Sequence, residues 1–530
     1  MSPSAYDAIV IGAGHNGLTC AAYLARAGRR VLVLEKRAQV GGATSTEEHY
    51  PGFKYSACSY VVSLMRPWII RDLDLPRHGY EILPLEETFT PFPDGRYLLR
   101  DADPERTRRA IEAFSKHDAE VYGEFGLAMG ELGRLVKPLI DRPAPDPTSL
   151  NPVELGRLLG LGRKLGGRGE EWLAALYKMS TMSAVDLLSE WFESERLIAS
   201  LAVSGIIGTF LGVRSPGTAY VLLHHYMGDI DGSFRAWGFA RGGTGQVAEA
   251  LAAAAREHGA EIRLEAGVAE VKTKRDRARG VVLENGDEID AKVVVSAVDP
   301  HRTFLQLVGR ERLDPELVRQ VERFKMRGSS GKVNLALDGV PEFAARPGHG
   351  RHLYGDITIA PDIDYLERAY DDAKYGEFSR RPFMDVVIPS LTDPTLAPPG
   401  KHVMSIFVQY APYHLADGAD TWPARRDEFA DTVIDTLTEY IPNLPDLILH
   451  RQVLTPWDLE QIYGLTEGNI FHGELSLEQL AFLRPLAGWA RYRTPLDGLW
   501  MCASGTHPGG GIMGAPGALC AKALLEGRRL

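Results

Sequence analysis

The stretch AIVIGAGHNGLTCAAYLARAGRRVLVLE, residues 8–35, decides the fold of this chain. It opens with an apolar run, which is typical of a strand buried on both faces. A glycine turn of the pattern Gly-x-Gly-x-x-Gly follows at once, and then a helical pattern of small apolar residues. A second apolar run leads into Glu35. Strand, glycine turn, helix and strand in this order predict a βαβ unit that binds a dinucleotide.

Each residue of the turn has a physical role in that prediction. Gly12 permits the tight turn out of the strand, and Gly14 lets a pyrophosphate approach the backbone at the helix N-terminus. Gly17 lets the helix pack closely on the strand. Glu35 is placed to accept hydrogen bonds from ribose hydroxyls, and its charge would repel the 2′-phosphate of NADP. The predicted site also includes the residues between the glycines: Ala13, His15 and Asn16.

The bulk composition excludes several classes of protein. The chain has 530 residues, of which 45% are hydrophobic and 24% charged, which predicts a globular protein of two domains. A net charge of -11 argues against a nucleic-acid partner, which needs a basic face. The four cysteines lack the spacing of a disulfide framework or a metal site. We therefore expect no metal and a reducing, cytosol-like compartment.

Targeting and membrane signals are weak in this sequence. The longest apolar stretch, residues 197–213, is interrupted by serines and glycines and is too short to span a bilayer. We expect a buried helix here, and the alternative is a surface that touches lipid or an apolar substrate. The N-terminus shows no signal or transit peptide. These features indicate a cytoplasmic protein, with peripheral contact to a membrane left open.

The residues after Glu35 add a second glycine motif, Lys36-Arg37-Ala38-Gln39-Val40-Gly41-Gly42-Ala43-Thr44. With this motif the chain resembles the superfamily of flavin amine oxidases and carotenoid desaturases. In that superfamily the glycine pair lets the backbone run along the pyrophosphate and ribityl chain of FAD. The resemblance implies an FAD site that includes Lys36, Arg37, Gly41, Gly42, Ala43 and Thr44.

The C-terminal stretch GLWMCASGTHPGGGIMGAPG, residues 498–517, follows the same logic. An apolar strand runs into a glycine-rich loop and then a helix, which is the arrangement of an anion site. In the resembling superfamily this segment closes over the ribityl chain and flavin ring, and an NAD dehydrogenase has no reason to carry it. Cys502 matches no flavin attachment position, so we expect non-covalent FAD. The site residues implied here are Gly505, Gly511, Ile512 and Met513.

A third glycine block, Gly242-Gly243-Thr244-Gly245, precedes an alanine-rich helix and the buried run 293–297. In the family this block completes the FAD domain, with Val268 near adenine and Ala297 in the cofactor site. The alternative is an independent small α/β unit. Arg241, just before the glycines, suits the neutralisation of the cofactor's charge.

The predicted fold class is α/β and α+β. It combines a discontinuous Rossmann-like FAD-binding domain with a substrate domain of mixed sheet and helical cap. The FAD-binding domain takes residues 1–65, 235–310 and 490–530, and the substrate domain takes residues 66–234 and 311–489.

Four further motifs narrow the resemblance to one branch, the phytoene-desaturase-like proteins. They are LLHHYMG at 222–228, TPWDLE at 455–460, GNIFHG at 468–473 and HPGGG at 507–511. This resemblance implies an FAD-dependent desaturase or dehydrogenase that removes a hydride and a proton from an apolar organic substrate, carotenoid- or lipid-like. The electron acceptor stays open between oxygen, a quinone and another carrier.

The candidate acid–base residues are His225, Asp458 and His472, and each has a structural alternative. Asp458 also suits the cap of a helix that starts near Leu459. His225 also suits packing beneath the cap, and His472 suits a hydrogen bond to a loop backbone. Two other functions stay open: a flavin amine oxidase that produces hydrogen peroxide, and a flavin-binding interaction protein with little turnover.

Overall fold

The computed structural model describes residues 6–167, 169–230, 233–234 and 236–527. Residues 1–5, 235 and 528–530 of the predicted FAD-binding domain lie outside the described residues. The helices are, in chain order, α1 His15–Arg26, α2 Pro67–Asp72, α3 Pro104–Glu112, α4 Lys116–Ile140, α5 Pro152–Gly166, α6 Glu170–Thr181, α7 Ala184–Ser189, α8 Glu195–Ala202, α9 Thr218–Tyr226, α10 Gly245–Glu257, α11 Pro315–Glu322, α12 Ile363–Lys374, α13 Trp422–Thr438, α14 Leu444–Leu447, α15 Pro456–Tyr463 and α16 Ala515–Glu526.

The strands form two larger sheets and several short pairs. They are, in chain order, β1 Tyr6–Ile11, β2 Val31–Leu34, β3 Thr46–Tyr50, β4 Phe53–Ser56, β5 Ile82–Pro84, β6 Glu87–Pro91, β7 Tyr97–Asp101, β8 Asp229–Ile230, β9 Ser233–Phe234, β10 Gly238–Ala240, β11 Glu261–Arg263, β12 Val268–Thr273, β13 Ala278–Leu283, β14 Glu288–Ser296, β15 Ser330–Leu337, β16 Asp356–Ile359, β17 Phe383–Val387, β18 His402–Gln409, β19 Ile448–Leu454 and β20 Leu499–Met501.

The first sheet carries the glycine turns. Its parallel strands run in the order β11, β2, β1, β14 and β20, while β13 and β12 extend the sheet from the other half of β14 as an antiparallel meander. The strand β1 is buried on both faces between β2 and β14, which explains its unbroken apolar run. Helices α1, α10 and α16 pack on this sheet through small side chains such as Ala22, Ala252 and Ala518. The Rossmann-like fold predicted from residues 8–35 is confirmed.

The second sheet is mixed and runs in the order β19, β15, β18, β17, β16, β6 and β7. Neighbouring strands are antiparallel except β16 and β6, which are parallel. One face of β15, formed by Val333, Leu335 and Leu337, packs in an apolar core with Phe429 and Val433 of α13. The opposite face of β15, which carries Lys332 and Asn334, is polar and also buried. The second sheet therefore has an apolar core on one face and buried polar side chains on the other.

Helices α3 to α9 form the cap, which packs with the second sheet through Phe383, Phe407 and Tyr410. The apolar stretch 197–213 forms most of α8 and the turns after it, within the core of the cap. Within the described residues, no helix combines the length and the apolar character that crossing a membrane requires. The predicted combination of Rossmann-like domain, mixed sheet and helical cap is confirmed, while the exact domain boundaries stay a prediction.

Candidate functional site

The predicted cofactor residues follow the carboxyl ends of neighbouring parallel strands. Gly12 follows β1, Glu35 follows β2, Ala297 follows β14, and Gly505 lies shortly after β20. Because β1, β2, β14 and β20 are parallel, these residues meet at one edge of the sheet. The carboxyl edge of a parallel sheet is where open α/β folds bind their ligands.

The glycine turn packs as the sequence predicts and leaves an open groove beside it. Gly12 has a φ of 97°, a conformation that favours glycine. A Cβ at Gly17 would lie 2.3 Å from the carbonyl oxygen of Gly12 and 2.8 Å from the Cβ of Ala297. In contrast, a Cβ at Gly14 or Gly42 would meet no atom nearer than 3.9 Å. The packing of α1 on the sheet therefore needs glycine at position 17, whereas Gly14 and Gly42 border free space.

Glu35 lies at the end of this groove and is 8% exposed. Its Oε2 accepts a hydrogen bond of 2.8 Å from the backbone N–H of Ala13, and its Oε1 accepts one of 2.9 Å from the N–H of Arg37. These bonds fix the carboxylate against the glycine turn. Its position suits recognition of a ribose at the same turn.

The second glycine motif runs alongside the first. Gly41 and Gly42 have φ values of 120° and 54°, and the N–H of Gly41 donates to the carbonyl oxygen of Ala13 at 2.9 Å. The hydroxyl of Thr44 donates to the carbonyl oxygen of Gly41 at 2.8 Å and fixes the bend. The backbone of residues 41–44, which includes Ala43, therefore forms the second wall of the groove.

The two basic residues of this motif have partners of their own. The ammonium of Lys36 pairs with Glu284 at 2.9 Å on the surface. The guanidinium of Arg37 pairs with Glu47 at 2.7 Å and lies 4.6 Å from the ring centre of Tyr463. The side-chain charges of Lys36 and Arg37 are thus paired within the protein, and their contact with a cofactor stays a prediction.

The two ends of the chain meet at this groove. The imidazole of His15 hydrogen-bonds through Nε2 to the carbonyl oxygen of Gly511 at 3.1 Å, and the amide of Asn16 donates to the hydroxyl of Ser504 at 3.1 Å. A Cβ at Gly517 would lie 2.1 Å from the carbonyl oxygen of Asn16, so α16 packs directly on α1. The N-terminal and C-terminal glycine loops thus form one site. The C-terminal wall also includes Ile512 and Met513, which are 8% and 0% exposed.

A buried polar atom at this junction lacks a partner. Asn16 is 4% exposed, and its Oδ1 has no hydrogen bond within the described residues. Buried acceptors are rarely left unpaired, since this costs about 1–3 kcal/mol. An acceptor without a donor, next to a groove that a Cβ at Gly14 or Gly42 would enter, fits a ligand that donates a hydroxyl, such as a ribityl or ribose group.

The three acid–base candidates lie in different surroundings. His225 hydrogen-bonds through Nδ1 to the carbonyl oxygen of Val221 at 2.9 Å and stacks on Trp237 with ring centres 6.1 Å apart. Burial lowers the pKa of His225, which keeps its ring neutral at pH 7. These contacts match its structural alternative, packing beneath the cap.

Asp458 belongs to a capping box. The helix α15 begins at Pro456, not near Leu459, because Thr455 is the N-cap and proline suits the first helical position. Asp458 accepts a hydrogen bond of 2.9 Å from the N–H of Thr455 and pairs with the guanidinium of Arg426. Both contacts of its carboxylate therefore stabilise the N-terminus of α15.

His472 lies closest to the predicted groove of the three. Its backbone carbonyl oxygen would be 3.0 Å from a Cβ at Gly505. Its ring lies near enough to His15 to lower the pKa of that residue. His472 has a φ of 54°, and its Nδ1 has no partner within the described residues. Burial lowers the pKa of His472, although the carboxylate of Asp299 opposes this shift.

Two further cofactor contacts, those of Arg241 and Val268, stay predictions. Arg241 pairs with Glu81 on the surface at 2.6 Å, so its charge is already neutralised. Val268 opens β12 opposite Leu283, on the meander that extends the first sheet. Its contact with a cofactor stays a prediction.

Sequence reasoning missed one large structural residue at the site. The fully buried guanidinium of Arg484 donates to five backbone carbonyl oxygens at 2.9–3.2 Å, and these belong to Phe471, Gly473, Glu474, Gln479 and Ser504. It thereby joins the loop of His472 to the C-terminal glycine segment. An isolated arginine in a loop carries no local signal of burial, because arginine is usually exposed.

A pH dependence follows from His15. Burial, together with the neighbouring His472, lowers the pKa of His15 to about 4, although its hydrogen bond to Gly511 opposes the shift. In the unfolded chain the imidazole of His15 takes up a proton below its ordinary pKa of about 6.5. In the folded chain it takes up that proton only near pH 4. The free energy of unfolding therefore has its full value above pH 6.5. It falls by about 2 kcal/mol, for this half-buried ring, as the pH falls toward 4.

Urea unfolding at pH 7 and pH 5 measures this effect. We expect His15→Gln to reduce the loss of unfolding free energy between the two pH values, while His117→Gln on the exposed surface leaves that loss unchanged. An equal pH dependence in wild type and His15→Gln would contradict the assignment.

Comparison with known proteins identifies the family. The family model described as flavin containing amine oxidoreductase matches residues 17–518. Pyridine nucleotide-disulfide oxidoreductase domain-containing protein 2 of Rattus norvegicus is 41% identical, over 97% of this chain and 92% of its own length. The lycopene-forming phytoene desaturase of a Paracoccus strain is 26% identical, over 98% and 97% of the two chains.

A solved structure agrees with the fold. A triple mutant of putrescine oxidase superposes with a TM-score of 0.61 at 17% identity, over 98% of this chain and 99% of that chain. Together these matches confirm the resemblance to flavin amine oxidases and carotenoid desaturases, and the prediction of a flavin cofactor. The chain belongs to the family of flavin containing amine oxidoreductases and is an FAD-dependent oxidoreductase.

Proposed function

We propose that FAD is held non-covalently in the groove between the two ends of the chain. The glycine turn, Glu35 and residues 41–44 hold the adenosine and pyrophosphate, and residues 505–513 hold the ribityl chain and ring. The hydrogen bond between His15 and Gly511, which joins the two terminal loops, carries this proposal. The bound flavin supplies the two-electron redox centre of the reaction.

The proposed reaction is a dehydrogenation of the desaturase type on an apolar organic substrate, carotenoid- or lipid-like. A hydride leaves one carbon of the substrate and a proton leaves the adjacent atom, so that a double bond forms between them. The electrons pass finally to oxygen, a quinone or another carrier. The similarity to a phytoene desaturase supports an apolar substrate.

We assign different roles to the three acid–base candidates. His472 is the candidate for proton transfer, because its ring lies near His15 at the groove and its Nδ1 has no partner within the described residues. His225 packs the cap, and Asp458 fixes the start of α15. The protein otherwise orients the substrate and excludes water.

Anaerobic reduction of the bound flavin tests this function. The purified holoprotein is mixed with a panel of polyenes, terpenes and primary amines, and the visible absorbance of oxidised flavin is followed. Loss of absorbance with a polyene or terpene supports the proposal. Loss with amines only would reject it, and no loss across the panel would favour an interaction protein with little turnover.

One observation favours the second candidate, a flavin amine oxidase that produces hydrogen peroxide. On the buried polar face of the second sheet, the hydroxyl of Tyr60 donates to Asp385 at 3.0 Å, and Thr358 lies between Asp385 and Asp356. Burial raises the pKa of Asp356 to about 6, and burial together with Asp356 raises the pKa of Asp385. Two buried carboxyl groups suit the recognition of an ammonium group. Amine-dependent peroxide release that Asp385→Asn abolishes would favour this candidate.

We also propose peripheral contact with a membrane through the cap. Large apolar side chains on α4 to α6 and the loop before α5 are exposed: Leu127 68%, Leu150 87%, Leu159 70%, Leu173 49% and Tyr177 72%. All five lie between residues 127 and 177, and exposed apolar side chains that form one patch mark membrane or protein contacts. We expect co-sedimentation with liposomes that Leu159→Asp weakens and that Tyr375→Asp, an exposed position outside the cap, leaves unchanged. Equal binding of the two variants would contradict the contact.

A further inference from the structure

The helix α4 takes part in two different cores of the molecule. Its middle part packs in the core of the cap through Phe125 and Met129. Ile140, in its last turn, packs instead in the core of the first sheet together with Met513, and both side chains are buried. The helix therefore reaches from the cap to the C-terminal glycine loop. Residues 139–144, which end α4 and continue the chain after it, are called the α4 end segment below.

A buried arginine connects the α4 end segment to the C-terminal glycine loop. The guanidinium of Arg66, which is 2% exposed, donates through Nε and Nη2 to the two carboxylate oxygens of Asp141 at 2.7 and 2.9 Å. The indole N–H of Trp68 donates to the same carboxylate at 2.8 Å. The backbone N–H of Arg66 donates to the carbonyl oxygen of Met513 at 3.2 Å. A charge-assisted, bidentate pair is strong and directional, so Asp141 fixes Arg66 beside Met513.

The C-terminal glycine loop also contacts the α4 end segment directly. The imidazole of His507 hydrogen-bonds through Nε2 to the carbonyl oxygens of Leu139 at 3.0 Å and Arg142 at 3.1 Å. The last carbonyls of a helix have no partner within the helix, so they accept bonds from outside it. Burial lowers the pKa of His507 to about 4, although both bonds oppose this shift. The ring is therefore neutral at pH 7 and donates its one N–H to these carbonyls.

These contacts depend on the position of α4. The bonds from Arg66 and His507 form together only when the α4 end segment lies against residues 505–513. A buried guanidinium without its carboxylate is costly, so the pair of Arg66 and Asp141 favours this docked position. A ligand that orders residues 505–513 must, by linkage, favour the docked position as well.

We propose that Asp141 is a positioning residue for the flavin: through Arg66 it fixes residues 505–513 against the end of α4, so that FAD binding and the docking of this cap helix are coupled. The proposal rests on the placement of FAD given under the proposed function, but not on the identity of the substrate or the electron acceptor. Because α4 belongs to the cap, the same contact sets the position of the cap relative to the flavin ring.

Hydrogen exchange in the α4 end segment measures the coupling. The apoprotein and the FAD-saturated protein are compared by mass spectrometry for peptides that cover residues 136–144. We expect FAD to slow exchange there in the wild type. In Asp141→Ala this slowing should be lost, while FAD still slows exchange in residues 12–17. A role of Asp141 in stability alone would change exchange with and without FAD alike, and the difference between the two states would persist.

The placement of FAD and the coupling fail in distinguishable ways. Slower exchange with FAD in residues 12–17 and 505–513, but not in residues 136–144 of the wild type, would overturn the coupling and leave the placement intact. The same slowing of residues 136–144 in Asp141→Ala and in the wild type would also overturn it. Unchanged exchange in residues 505–513 would contradict the placement of FAD, and the coupling with it. The wild-type comparison stays decisive even if Asp141→Ala does not fold.

Flavin affinity without substrate gives the reciprocal measurement. We expect Asp141→Ala to raise the FAD dissociation constant about 10-fold, because linkage acts equally in both directions. Asp141→Glu keeps a carboxylate for Arg66 at a side chain that is 30% exposed, and it should recover most of the affinity. Asp364→Ala, which removes an exposed carboxylate paired with Arg214 at 3.6 Å, is the matched control.

Circular dichroism establishes that each variant is folded before its affinity is compared. An unchanged FAD affinity in folded Asp141→Ala would overturn the proposal. A loss of affinity in Asp141→Glu as large as that in Asp141→Ala would overturn it too, because the carboxylate would then not be the group that acts. No substrate is present in these titrations, so failure of the proposed dehydrogenation leaves their result unaffected.

Discussion

Replacing Gly17 by alanine is expected to lower the free energy of unfolding by about 3 kcal/mol and to abolish flavin binding. The added Cβ would lie 2.3 Å from the carbonyl oxygen of Gly12 and 2.8 Å from the Cβ of Ala297. Both neighbours follow buried strands of the first sheet, so the clash is relieved only if α1 moves away from the sheet. That movement would separate the glycine turn from residues 41–44. Urea unfolding and a flavin titration of the apoprotein measure the two effects.

A second helical glycine provides the matched control. Gly123 lies within α4 on the surface, and a Cβ there would meet no atom within 4 Å. Alanine at an exposed helical position is favoured over glycine by up to about 1 kcal/mol, so Gly123→Ala should stabilise the protein and leave flavin binding unchanged. A loss of stability of similar size in both variants would show that close packing of α1 is not the cause.

Replacing Arg484 by methionine should be at least as damaging. The variant removes the guanidinium from five buried carbonyl oxygens, of which that of Glu474 keeps a hydrogen bond from the side-chain amide of Gln479. Each acceptor left unsatisfied costs about 1–3 kcal/mol before relaxation. We expect a loss of about 4 kcal/mol or more, together with release of the flavin, because these carbonyls join the loop of His472 to Ser504. Thermal unfolding and retention of flavin on gel filtration measure the result.

Lysine at position 484 distinguishes geometry from charge. An ammonium has three donors on a flexible stem, whereas the planar guanidinium directs five, so Arg484→Lys should recover only part of the lost stability. Full recovery of the stability by Arg484→Lys would show that a positive charge alone is sufficient to hold the two loops together. Arg108→Met, at exposed ion pairs with Glu105 and Glu112, is expected to change stability by less than about 1 kcal/mol.

The parts of the fold that were predictable are those with strong local signals. An unbroken apolar run before a glycine turn leaves few alternatives to a buried parallel strand, and this held for β1 and β20. The C-terminal helix was also predictable, because the glycines before it and the apolar pattern within it agree. The helix at Asp458 was misplaced because Thr455 and Pro456 together are a stronger start signal than Asp458 alone.

The parts that were not predictable depend on contacts distant in the sequence. The alternation around Lys332 predicts a strand with one polar face, and such a face is usually exposed to water rather than buried. Its burial depends on the backbone of residues 56–59, more than 270 residues earlier in the chain. The position of Arg484 depends likewise on a fold around it that no local pattern specifies.

Hydrogen exchange with and without FAD tests most directly whether one flavin joins both ends of the chain. The apoprotein and the FAD-saturated protein are compared by mass spectrometry at the level of peptides. We predict slower exchange on FAD binding in residues 12–17 and 41–44 and also in residues 505–513. Protection confined to the N-terminal segments, with unchanged exchange in 505–513, would contradict the shared site.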